Sequence, residues 1–122
     1  MEFFRFDEEA GDNISQFDSN FVISKLLKTK GVTHVGCMHL KENGNIGYHE
    51  AFVPQLFLVI EGNGWVCGED KKRIEIQKGE AVFWQQGEWH GAGTNNKMMA
   101  IVIEAETMDP SFMNPKDKDK LL

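Results

Sequence analysis

Four histidines, three tryptophans and two cysteines hold most of the chemistry open to this chain. A neutral imidazole binds zinc, nickel, copper or iron, or moves a proton near neutral pH. His49 lies in GYHEAFVPQLFLVIEGNG, residues 47–64, where a polar opening precedes an apolar run of strand length and a glycine-rich turn. His90 lies in QQGEWHGAG, with Trp89 beside it and Trp84 shortly before. An indole offers apolar area and one N–H donor, which suits a flat or sugar-like organic molecule. Trp84 and Trp89 are therefore expected at a pocket wall or lip, and Trp65 in the core. The plainer alternative for the two histidines is a pair of polar side chains bonded to water or to Gln55 in a partly wet pocket.

Other chemistries find less support. No Ser–His–Asp order and no phosphate-cradling glycine loop occurs. Cys37 and Cys67 have no CxxC spacing and are expected as buried thiols in a reducing compartment. His34 and His39 stand an odd number of residues apart, so a regular strand sends them to opposite faces and at most one lines a shared cavity. Lys71, Lys72 and Arg73 are expected in a solvated turn.

The elements that must position these residues are strands. Apolar and β-branched runs recur at FVISKLLK (21–28), THVGCMHL (33–40), IGYHEAF (46–52), QLFLVIE (55–61), WVCGE, RIEIQ, AVFWQ (81–85) and KMMAIVIEAE (97–106). EGNG is expected as a tight connection after residue 60, and EDKK as another. Helical periodicity is scarce, with EEAGDNISQF able to form only a short turn. Short strands with frequent turn signals predict an all-β sandwich or barrel and not βαβ units. The jelly roll is one such solution, because folding one sheet over another limits exposed edges.

Bulk properties narrow the partners. The chain has 122 residues, a formal net charge of -6 and 41% hydrophobic residues, which fits one globular domain. No basic stripe is present, so no nucleic-acid partner is expected. The longest apolar run, Met98 to Ile103, is far too short to cross a bilayer, and no membrane partner is expected. MEFFRFDEEAGD is acidic where a signal peptide is basic and then apolar, which reads as cytoplasmic. Residues 1–108 are expected as one barrel with N-terminal extension strands, and 109–122 as a flexible charged tail.

From about Gly31 to Glu106 the chain resembles a small single-domain cupin, a double-stranded β-helix or jelly-roll barrel. The second cupin signature is a glycine, five residues, Pro-x-Gly, two residues, His, three residues and Asn. Gly79, Gly87 and His90 fall in register with it, Gln85 takes the proline place and Thr94 the asparagine place. The first signature is a glycine, five residues, His-x-His, three or four residues, Glu, six residues and Gly. Asn43, His49, Ala51, Gln55 and Gly62 occupy its places. In metal-binding cupins the histidines and glutamate of these signatures hold a divalent ion. The resemblance implies His49, Gln55 and His90 as the corresponding ligands here, for zinc, iron, nickel or manganese, with Ala51 contributing nothing. No organic cofactor is indicated.

Alternation then sets the faces. If His49 faces the interior, so do Gln55, Phe57 and Val59, while Leu56, Leu58 and Ile60 form an outward row against another layer or subunit. Glu50 points away from His49, and Glu88 is the nearest other carboxylate able to reach inward. The expected function is a small barrel that binds a small molecule in its interior through His49, Gln55, Phe57, Trp84, Trp89 and His90, and holds a divalent metal weakly at best. The alternative is a metal-dependent dioxygenase or isomerase using His49 and His90. A third possibility is a structural dimer driven by the outward row, and a homodimer is expected under every alternative.

Overall fold

The computed structural model describes residues 1–116. Its strands are β1 (Glu2–Arg5), β2 (Asp12–Ile14), β3 (Phe21–Ile23), β4 (Lys28–Leu40), β5 (Asn45–Glu50), β6 (Gln55–Cys67), β7 (Ile74–Gln77), β8 (Glu80–Trp84), β9 (Trp89–Gly93), β10 (Met98–Asp109) and β11 (Asn114–Pro115). Two short 3-10 turns, Glu8–Ala10 and Gln16–Asp18, flank β2. No helix among the described residues is long and apolar enough to cross a membrane.

Two sheets face one another and share β6. Its first half pairs with β8 and β10 in a sheet ordered β11-β1-β8-β6-β10-β4, and its second half pairs with β7 and β9, β9 in turn holding β5. The switch between sheets happens at Gly62, whose φ is +80, beside a register shift opposite Met99 and Ala100. A Cβ at Gly62 would run into the Lys97 carbonyl, so glycine is needed for conformation and for space. EGNG is therefore a bend inside one long strand and not the expected tight connection. A strand that changes sheets and a hairpin call for the same residues, because both need a backbone that L side chains resist.

Alternation along β6 divides two apolar clusters. Phe57 and Val59 join Val82 and Trp84 of β8, Ala100 and Val102 of β10, and Val66, Ile76 and Ala92 of the opposite sheet. Contributions from both sheets place this cluster inside the barrel. Leu56 and Leu58 belong to the second cluster, on the outer face, with Phe83 and Ile103. Burying a leucine side chain in this way stabilises the fold by roughly 1.5–3 kcal/mol.

What covers that outer face is the chain itself. Phe4, Phe6, Leu26, Leu27 and Met113 pack over it, with Ile60 partly buried at its margin. The outward leucine row thus needs no second subunit, and the physical argument for a homodimer falls away. FVISKLLK is split accordingly: Phe21–Ile23 pair with β2, and Leu26 and Leu27 serve the cover. Residues 109–116 also depart from the expected tail. Asp109 still pairs with Lys28, Met113 is buried, Pro115 pairs with Phe4, and the Lys116 ammonium meets the Glu80 carboxylate at 2.9 Å. The rest of that expected tail lies outside the described residues. Cys67 is buried as expected, but Cys37 is exposed, because β4 is an edge strand.

Candidate functional site at the barrel mouth

Antiparallel pairing of β5 with β9 sets His49 directly opposite His90. Their ring centroids lie 4.4 Å apart. His90 is fully buried and stacks on Trp84 at 4.3 Å with an interplanar angle of 30°. Phe57 meets Trp84 edge-on, with ring centroids 6.0 Å apart. Gln55, also buried, is the cross-strand neighbour of Trp84 and shares its face. His49, by contrast, is exposed and forms the rim.

Five of the six expected ligand-binding residues therefore meet at one end of the barrel: His49, Gln55, Phe57, Trp84 and His90. Trp89 does not. Adjacent residues of a strand point to opposite faces, so with His90 inside, Trp89 stands outside, 41% exposed and packed on Tyr48 at 5.6 Å. Glu88 is not at the site either. Its carboxylate accepts from the Gln85 N–H and from the Met1 amino group.

The imidazoles share one hydrogen-bonding pattern. The His49 Nδ1–H donates to the Gly47 carbonyl at 2.7 Å, and the His90 Nδ1–H donates to the Glu88 carbonyl at 3.3 Å. Each carbonyl needs a donor, so both rings carry their proton on Nδ1 and present a lone pair at Nε2. Burial lowers the His90 pKa below its ordinary value, only partly opposed by the Glu88 carbonyl bond, and the nearby His49 lowers it further. His90 is thus a neutral ring near neutral pH. Its Nε2 and the Trp84 Nε1 are buried without a hydrogen-bond partner among the described residues. Such orphaned groups cost about 1–3 kcal/mol each, and two on stacked neighbouring rings mark a place built to be completed.

Glu104 escaped the sequence-based expectation, and His34 is the one of the two spaced histidines that takes the inner face. Pairing runs Trp84, Gln55, Glu104, His34 across β8, β6, β10 and β4, so all four stand in one row on the inner face. Glu104 acts on His90 from there, its negative charge drawing the ring's proton affinity upward. The signal was in MMAIVIEAE: Glu104 is in phase with the interior residues Ala100 and Val102, a lone charge on an apolar face. His34 takes the inner face and His39 the outer, as alternation requires.

The interior beneath this row is filled by Phe57, Trp84 and the rest of the inner cluster. At the mouth His49 is exposed, while Gln55, Trp84 and His90 behind it are buried. A cavity of about 890 Å³ lies elsewhere, between the outer face at Phe4 and Phe83 and the segment through Met108, Phe112 and Met113.

No family model matches the sequence, and no curated protein does. Solved structures match in shape. A cupin superfamily protein from Desulfitobacterium hafniense superposes with a TM-score of 0.59 at 11% identity, over 68% of this chain and 75% of that one. A cupin-like protein from Thermotoga maritima gives 0.58 at 15% identity, over 77% and 78%. This chain has the cupin fold. A predicted oxalate decarboxylase from Thermotoga maritima also matches, with a TM-score of 0.53 at 18% identity over 57% of this chain and 62% of that one. At such identities the likeness carries the cupin architecture and not a reaction.

The metal-binding cupin pattern can now be tested against the side chains. His49 and His90 present two lone pairs side by side, and Gln55 adds a neutral amide. Among the described residues no group of three or more His, Cys, Asp or Glu could hold a metal ion. Catalytic zinc takes three protein ligands, and the non-haem iron triad needs a carboxylate with its two histidines. The donor set does not fit a resident metal cofactor, and the expected set of His49, Gln55 and His90 falls short for want of a charged third donor.

Proposed function

We propose that the mouth of this cupin-like barrel forms a shallow cup that binds a small organic molecule. One observation carries the reading: the Trp84 Nε1–H and the His90 Nε2 lie on stacked rings, buried and unpartnered. A hydroxyl group satisfies both at once, accepting from the indole N–H and donating to the imidazole lone pair. Trp84 supplies the apolar floor, Gln55 a further amide, and His49 a second acceptor at the rim. The cup supports binding, and a proton could pass between a ligand hydroxyl and His90 without any further group.

The test is a titration of the isotope-labelled protein with small hydroxylated compounds, following the Trp84 indole N–H resonance. Binding in the cup moves that resonance before those of Trp65 and Trp89, and His90→Phe, which keeps the Trp84 reporter, abolishes the shift. Compounds that bind while leaving the Trp84 resonance in place would put the site elsewhere.

The metal-dependent dioxygenase or isomerase is kept as a second reading, because the His49 and His90 Nε2 atoms both stand free on rings in contact. It requires stoichiometric metal in protein purified without an affinity tag, lost in both His49→Ala and His90→Ala. Elemental analysis without metal leaves the binding function alone.

A further inference from the structure

We infer that the cup selects a molecule carrying a protonated amine next to a hydroxyl, a hydroxylated amine, and that Glu104 makes the selection. The inference rests on the binding site proposed above and adds the ligand's charge. It begins with the balance of donors and acceptors at the mouth. His90 Nε2, His49 Nε2 and the Glu104 carboxylate all accept hydrogen bonds. Trp84 Nε1–H only donates, and Gln55 does either. A complementary ligand must bring more donors than acceptors.

Charge points the same way. Trp84, Gln55, Glu104 and His34 form the inner row, and His49 and His90 face it; neither lysine nor arginine is among the six. Glu104 is half-buried, where its charge is less screened than at the open surface. Its register opposite Gln55, in phase with the interior residues Ala100 and Val102, puts it on the inner face of the sheet. A small carboxylate ligand would meet this charge with no cation to offset it. An ammonium group would meet its complement.

The spacing excludes a single ion as the occupant of both features. Glu104 and the histidine pair do not form a group that could ligate one metal. Two groups of one molecule would complement them, a hydroxyl at Trp84 and His90 and an amine at Glu104.

Ethanolamine, ethylene glycol and glycolate form a matched set: each has one hydroxyl on a two-carbon frame, with an ammonium, a second hydroxyl or a carboxylate at the other end. Titrated into the full chain near neutral pH, with the Trp84 indole N–H as readout, ethanolamine is expected to bind about tenfold more tightly than ethylene glycol, and glycolate most weakly. Glu104→Gln, which keeps the shape, brings ethanolamine to within about twofold of ethylene glycol and leaves the glycol unchanged. Glu104→Lys moves glycolate ahead of ethanolamine. An order that survives Glu104→Gln, or glycolate binding best to the unaltered protein, overturns the inference while the cup stands. If none of the three moves the Trp84 resonance, the cup and the inference fail together.

Discussion

Two neighbouring rungs of the same sheet show how little separates core from site. In one, Val82, Phe57, Val102 and Gly36 lie side by side across β8, β6, β10 and β4; in the next, Trp84, Gln55, Glu104 and His34 do. The strands are the same, the face is the same, and the distance is two residues, about 7 Å. Val82, Phe57 and Val102 of the deeper rung join Val66, Ile76 and Ala92 of the opposite sheet in one buried cluster, with Gly36 exposed at the edge strand. In the outer rung Trp84 stacks on His90, which is paired with His49. Cover from the second sheet, and not the backbone of the first, decides where polar groups become admissible.

Truncation should separate the two rungs most sharply. Phe57→Ala opens a hole in the deep rung, where nothing nearby is free to collapse, and should cost about 3–5 kcal/mol in urea denaturation. Trp84→Phe in the outer rung also loses volume, but it removes a buried N–H that has no partner, worth about 1–3 kcal/mol on its own. The two terms oppose, and the net change should stay within about 1 kcal/mol. Equal losses from both substitutions would mean that the outer rung is core after all.

The comparison also explains what was legible in the residues. Motif spacing and strand alternation together brought His49, Gln55, Phe57, Trp84 and His90 to one place. Trp89 was misplaced because its nearness to His90 in sequence outweighed alternation, which sends neighbours apart. Glu104 was overlooked because KMMAIVIEAE reads as an apolar strand ending in charges, although its phase already pointed inward. The bend at Gly62 and the self-made cover by Leu26 and Leu27 were not readable. A glycine in a bend looks like a glycine in a turn, and the cover comes from an irregular segment with no period to betray its destination.

Falling pH should act first at His90, which stacks on the outer rung. Burial holds the folded His90 pKa below 6.5, so between 6.5 and that lower value the unfolded chain binds the proton that the folded chain refuses. Stability is then complete above 6.5 and falls as the pH drops through this window, with a slope of at most about 1.4 kcal/mol per pH unit. Asp7, held down by its bonds from Arg5, and Asp109, held down by bonds from Ser111, act in a separate window below 3.8. His90→Phe, which preserves stacking on Trp84, should flatten the profile from 6.5 downward and leave the lower window untouched. A profile unchanged by that substitution would assign the acid sensitivity to another group.

The smallest effect comes from returning a carboxylate to the rung. Gln55→Glu places a negative charge directly across the strand pair from Glu104, and opposed like charges should cost about 0.2–1 kcal/mol without metal. It also supplies the charged third donor beside His49 and His90, the partner whose absence kept the donor set from fitting a metal. Added zinc or nickel should then raise the variant's melting temperature more than the parent's, by mass action on the folded state. If the parent responds as strongly, the two imidazoles already hold an ion without help. Glutamine at position 55 would then be no barrier to metal chemistry, and the outer rung would have to be read as a metal centre.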